Sequence, residues 1–239
     1  MSKLADRIRR AARSEPQQLG FVTSRAEASA TMLLAATAKD ASAAADLVKR
    51  GADAVILGAP GSAAAAAPAD TLAGAWIGDK SDAKAMKDGG FDFVVFDPDK
   101  TPSTAVLEES IGYVLVLPGD TTDIELRSIE GFQLDAIDVG RLDGGLTVRR
   151  QLDLRRVFAL TRKPLMATVP GTITVPELQA LRDTNVAIVA ADSADAVGRL
   201  RKAIDELPPR SRRKDDGERP TPLVPRAAPG VEGDDDDDD

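Results

Sequence analysis

Apolar residues fall in short runs along the chain, each closed by turn residues. They read "MLLAATA" (32–38), "DAVILGA" (53–59), "GAWIGD" (74–79), "FDFVVFD" (91–97), "YVLVLPG" (113–119), "LDAIDVG" (134–140), "PLMATVP" (164–170) and "VAIVAAD" (186–192). The first five spacings between runs are roughly 20 residues and the sixth, which leads to the seventh run, is longer. The aliphatic positions run on without alternation, which is the pattern of strands covered on both faces.

Helix signals lie between the runs. "DASAAADLVKRGA" opens on Asp40 or Ser42 as a cap, and "SDAKAMKDGG" opens on Ser81 and closes on paired glycines. "TPSTAVLEESIG" follows the fourth run. "TTDIELRSIEGF" and "TVPELQALRDTN" each place Glu three residues after Thr (Thr122 and Glu125, Thr174 and Glu177), the spacing of a capping box. "LTVRRQLDLRRVFALTRK" and "DSADAVGRLRKAIDEL" complete the series, and only the Ala- and Pro-rich segment after the second run is a poor helix. Eight strand-then-helix units predict an α/β fold, a (β/α)8 TIM barrel. A doubly wound open sheet is the alternative, although such sheets usually carry fewer strands. The Leu/Asn consensus of a leucine-rich repeat is absent.

Two segments flank the barrel of residues 20–207. Residues 1–19 predict an amphipathic N-terminal helix, with Leu4, Ile8 and Ala11 on one face and Lys3, Arg7 and Arg10 on the other. Such a helix is expected to pack on the barrel, covering its N-terminal end. Residues 208–239 are rich in proline and charge and close on six aspartates, the composition of a disordered acidic tail.

Composition narrows the chemistry. There is no Cys and no His, which removes thiolate nucleophiles, Cys/His zinc sites and the usual base for neutral pH. The net charge is −8, of which Asp234–Asp239 supply six, so the body is nearly balanced. It shows neither the basic face nor the aromatics of a nucleic-acid binder. No integral membrane segment or secretory signal is evident, and a cytoplasmic location is expected.

In this fold a site is built where the strands end and the helices begin. Lys39, Asp79, Lys80 and Asp97 stand there as candidate catalytic groups, a lysine for Schiff-base chemistry and acids for proton transfer. Asp79, Asp97 and Asp192 form a candidate ring of carboxylates suited to Mg²⁺. Gly171, Thr172 and Ser193 are candidates for holding a bound group at the seventh and eighth loops. Asp138 and Arg141 lie near the end of the sixth strand. Helix capping alone also accounts for a strand–Asp–helix pattern. Asp53, Asp92 and Asp135 fall at the opposite end, where stability is their expected role. "GRLDGGL" predicts a flexible loop over the barrel mouth, hinged at Gly144 and Gly145.

The eight units and the mouth residues resemble the phosphate-binding group of TIM barrels, which includes small synthases, isomerases and epimerases. That resemblance implies a phosphate seat on the loops after strands seven and eight, where "VPGTIT" offers Gly171, Thr172 and Thr174. The eighth loop, "AADSADAVG", departs from it: no glycine pair adjoins the strand and Asp192 repels phosphate. The chain also looks like a family of bacterial proteins marked by "GF", "MLLAA", "GAWIGD", "FDFVVF" and "KPLMATVP", a resemblance that brings no activity. Two functions stay open: a lyase- or isomerase-type enzyme acting on a small anionic or phosphorylated metabolite, and a catalytically silent barrel used for binding or assembly. A homo-oligomer is compatible with both.

Overall fold

The structure is a computed structural model that describes residues 2–12, 31–58, 70–79 and 82–208. Lys80 and the poor helix after the second strand lie outside the described residues, as does the acidic tail from residue 209. Eight parallel strands close on themselves in sequence order: β1 (Leu33–Ala38), β2 (Ala54–Leu57), β3 (Leu72–Ile77), β4 (Phe93–Phe96), β5 (Gly112–Val116), β6 (Ala136–Arg141), β7 (Leu165–Val169) and β8 (Val186–Ala191). The helices are α1 (Lys3–Ala12), α2 (Ala41–Lys49), α3 (Ala83–Asp88), α4 (Asp123–Glu130), α5 (Val148–Thr161), α6 (Val175–Asp183) and α7 (Ala194–Asp205). The chain is therefore a (β/α)8 TIM barrel.

The apolar runs produce this arrangement because each strand has two buried faces. One face of β1, for example, sends Leu34, Ala36 and Ala38 into a large outer cluster shared with the helices, while Leu33 and Ala35 point into a separate inner cluster. In the inner cluster Phe93 lies between two glycines, Gly74 on β3 and Gly112 on β5, which are its register partners. A Cβ on Gly74 would come within 2.3 Å of the Phe93 ring, and one on Gly112 within 2.9 Å of its Cβ. Small residues beside a large one let the layer fill without voids.

Helix α1 seals the N-terminal end. Leu4, Ile8 and Ala11 join the inner cluster, and Leu4 is 0% exposed. Polar contacts fix its position: Lys3 pairs with Asp92 at 2.7 Å, Arg7 donates to the Asp70 carbonyl, and the Ser2 hydroxyl bonds the Asp135 carboxylate.

The aspartates at this end share one geometry. Asp53, Asp92 and Asp135 each sit just before an even strand, and each carboxylate accepts an amide of the preceding odd strand: Leu34 N at 2.8 Å, Ala73 N at 3.0 Å and Tyr113 N at 3.3 Å. Stagger in a closed barrel leaves strand-end amides beyond the reach of the neighbouring backbone. A carboxylate one position before the next strand extends the ladder by one bond and satisfies the donor. Asp53 is further held by Arg201 at 3.0 Å.

Caps follow the sequence closely, with two differences. Asp40 caps α2 through Ala43 N, and Thr122 with Glu125 and Thr174 with Glu177 form capping boxes. The cap of α3 is Asp82, accepting from Ala85 N at 2.7 Å, rather than Ser81. The helix expected over "TPSTAVLEESIG" is only a 3-10 turn at Ser103–Val106. Its proline start has no side-chain cap, and β-branched Thr104 and Val106 weaken helix propagation. Among the described residues, no helix is long and apolar enough to cross a membrane.

Candidate active site

The inward-facing residues at the C-terminal ends of the strands make the barrel mouth. Trp76 on β3, Val116 on β5 and Ala190 on β8 are partly buried and rest on the inner cluster, forming an apolar floor. By strand alternation Thr37, Asp97, Asp138, Thr168 and Asp192 face the same space.

The sequence-derived candidates divide. Asp97 is tied into its own turn: its Oδ1 accepts from Asp99 N at 3.0 Å and its Oδ2 from Lys100 Nζ at 2.7 Å. The Lys100 bond, then the Asp99 amide, lower its carboxyl below the ordinary value. Asp97 thus both shapes the 97–101 turn and forms an exposed ion pair. Asp192 accepts from Arg141 Nη2 at 3.2 Å and from the Ser193 hydroxyl at 3.1 Å. Lys39 and Asp79 are exposed at the ends of β1 and β3. Asp79, Asp97 and Asp192 do not converge: among the described residues no group of three or more carboxylates gathers as a metal-binding cluster.

The seventh and eighth loops are packed against a helix. Only Asp192 and Ser193 separate β8 from α7. A Cβ on Gly171 would lie 2.7 Å from the Ala196 Cβ and 2.9 Å from Arg199 Nη2, and Arg199 Nε donates to the Gly171 carbonyl at 3.2 Å. On its Gly171 side the loop is therefore packed against the first turns of α7. Thr172 faces elsewhere, into a cavity of about 110 Å³ that it lines with Leu142, Leu146, Ile173 and Glu177.

The sixth loop carries the two left-handed glycines, Gly144 and Gly145, at φ 79° and 84°. It is anchored at both ends, by Leu142 N to the Thr168 carbonyl at 2.8 Å and by Leu146 N to Glu177 Oε1 at 3.3 Å.

The group that sequence reasoning placed at the mouth without a role is Asp138. It is 9% exposed, on β6, beside a register shift between Asp138 and Arg141. Gly140 enters the left-handed region at φ 75°, and its amide donates to Asp138 Oδ1 at 2.9 Å. Bulges of this kind re-aim side chains at barrel rims. Burial pushes the Asp138 carboxyl above its ordinary value, opposed only by the Gly140 amide. No ion pair reaches it among the described residues. Its signal in the sequence was "IDVGR", an acid on an inward position followed by glycine at the strand end.

Comparison with known proteins gives the fold. No family profile matches the chain, and no curated protein sequence does. Solved structures match along most of it. Tryptophan synthase from M. tuberculosis, in a ligand-free mutant form, is 11% identical with a TM-score of 0.58, covering 86% of this chain and 100% of that one. Phosphoribosyl anthranilate isomerase from Thermus thermophilus is 14% identical with a TM-score of 0.54, covering 72% and 98%. The 3-keto-L-gulonate-6-phosphate decarboxylase of Vibrio cholerae is 13% identical with a TM-score of 0.54, covering 74% and 99%. At these identities the likeness is one of fold, that of a TIM barrel.

Proposed function

We propose that the chain is a small-metabolite enzyme of the isomerase or lyase type, with Asp138 exchanging a proton with the substrate at the barrel mouth. The observation that carries this reading is a carboxyl inside the catalytic end of the barrel, nine-tenths buried and without a cation among the described residues. Burial raises its carboxyl above the ordinary value, the direction that favours a proton donor. Asp138 gives its proton to a substrate carbonyl oxygen while water removes a proton from the adjacent carbon. The enol, the Asp138 carboxylate and hydronium result; Asp138 takes its proton back from the enol hydroxyl while carbon is reprotonated from solvent, on the same face to restore the substrate or on the other to give its epimer. An isomerase and a decarboxylase among the structural neighbours fit a barrel of this class. Their names support the phosphorylated substrate expected from sequence. A cytoplasmic setting suits such chemistry.

Incubation in deuterated water with a panel of aldoses, ketoses and their phosphate esters tests the reading. Wild type incorporates deuterium next to the carbonyl of one of them, followed by NMR, and Asp138→Asn does not. Absence of incorporation in every compound sinks it. A catalytically silent barrel is the second reading, favoured by the packing of Gly171 on Ala196.

A further inference from the structure

We propose that the cavity between the sixth loop and α6 is a binding site for a small primary alkylammonium ion, with its ammonium on Glu177 and its hydrocarbon chain on the aliphatic walls. The site is separate from the barrel mouth and does not rest on the acid–base reading.

The walls come from two loops and the helix that follows them. Leu142, Gly145 and Leu146 belong to the sixth loop, Ile173 to the seventh, and Glu177 and Leu181 to α6. Leu142 and Leu181 are part of the outer cluster, and Leu146 and Ile173 pack against it, so the space lies apart from the inner cluster that floors the mouth. Its volume is about 110 Å³. An apolar cavity of about 150 Å³ takes up benzene, which sets the room here at about four or five heavy atoms.

Glu177 gives the cavity one charged wall. Its Oε2 accepts from the Thr174 amide at 2.9 Å and the Thr174 hydroxyl at 2.8 Å, so the capping box uses that oxygen. Among the described residues its Oε1 accepts only from Leu146 N, at 3.3 Å, and a Cβ on Gly145 would stand 3.6 Å from it. Both neighbours are wall residues, which puts Oε1 at the cavity surface with acceptor capacity to spare. The Thr174 amide, then its hydroxyl, hold the carboxyl below its ordinary value, so it is ionised at neutral pH. No ion pair reaches it among the described residues. An ammonium offers this oxygen a charge-assisted bond, stronger than that of a neutral hydroxyl. The attached chain is covered by the leucines and Ile173. An anion of the same length meets a like charge instead.

Methyl NMR of the full chain, with Leu and Ile labelled, follows the walls directly. The protein is titrated at neutral pH with n-butylammonium, n-butanol and butyrate, which share a chain length. The expected result is a saturable shift of the Leu142, Leu146, Ile173 and Leu181 methyls with n-butylammonium, at an affinity about tenfold or more above that of n-butanol. Butyrate should bind more weakly than either. Glu177→Gln keeps an oxygen for the capping box, in which Gln also serves, and should bring the ammonium down to the affinity of the alcohol. Ile173→Phe narrows the space and should abolish the shifts at the three leucines. Equal affinities of wild type for the ammonium and the alcohol overturn the inference. So do methyls unmoved by all three compounds, or an ammonium response that Glu177→Gln leaves intact. Deuterium incorporation that depends on Asp138, found beside any of those results, leaves the acid–base reading standing while this inference falls.

Discussion

Gly171, in the loop after β7, meets Ala196 in the first turn of α7 so closely that a Cβ at position 171 would stand 2.7 Å from the Ala196 Cβ and 3.0 Å from its Cα. Neither atom is the free end of a flexible chain, and Ala196 is fully buried. Gly171→Ala should therefore cost about 1–3 kcal/mol, the usual penalty of overpacking a close contact. Urea unfolding measures it. Ala196→Gly in the same chain should recover part of the loss, and a Gly171→Ala protein as stable as wild type would show that the loop is not seated on α7.

The strand-end aspartates make a second prediction. Asp92 is 8% exposed and its carboxylate is the acceptor for Ala73 N at 3.0 Å. Asp92→Ala leaves that amide without its partner and should cost about 1–3 kcal/mol. Asp92→Asn keeps an oxygen in place and should cost less. Lys3→Ala, which removes only the 73%-exposed partner of the ion pair, should change stability by under about 1 kcal/mol. Equal losses in all three would mean that the ion pair, not the ladder bond, is what matters.

The periodic features were the legible ones. Eight apolar runs became eight strands, and the Thr–x–x–Glu boxes at 122–125 and 174–177 formed as their spacing implies. Leu4, Ile8 and Ala11 lined up as one buried face. What stayed hidden depends on distance across the barrel. Nothing local in "VPGTIT" says that Gly171 abuts a helix 25 positions later. Asp97 and Asp138 look alike as acids at strand ends, yet one keeps Lys100 beside it in solvent and the other is enclosed by neighbouring strands. Burial, which separates their chemistry, is a property of the closed sheet.

Tyr113 gives a probe of the outer layer. Its ring packs edge-on against Phe96 at 6.2 Å, and its hydroxyl donates to the Glu108 carbonyl at 2.8 Å. Burial pushes its phenol up to about 12 from the ordinary value of 10.0. Because it is the one tyrosine, ultraviolet titration follows it alone. Phenolate should be scarce until pH approaches about 12, or should emerge together with unfolding. The folded state holds the proton more tightly, so this group's contribution to stability falls as pH rises from 10.0 toward about 12. Tyr113→Phe should flatten that part of the pH–stability curve. A phenol titrating at its ordinary value would show that the 3-10 turn and β5 do not shelter it.

Asp138 should behave as a group that opposes folding in its charged form. Burial raises its carboxyl above the ordinary value of 3.8, and no ion pair offsets the cost among the described residues. In the window between 3.8 and the raised value, the folded protein binds the proton and the unfolded chain does not. Stability from this group is therefore fully present below 3.8 and is lost as pH rises through the raised value. Asn at this position keeps the oxygen that accepts from Gly140 N and carries no charge. Asp138→Asn should then be at least as stable as wild type at neutral pH, with the difference shrinking steadily as pH falls toward 3.8. Chemical denaturation of the pair across that range gives the curve, and carboxyl-carbon NMR of labelled aspartate locates the titration itself. Loss of deuterium exchange in a variant that is no less stable is the signature of a residue held in place for chemistry, since function is often kept at the expense of stability. A variant less stable than wild type at neutral pH, with a gap that widens as the medium is made more alkaline, would instead mean that the Asp138 carboxylate has a stabilising partner, and the acid–base role would go with it.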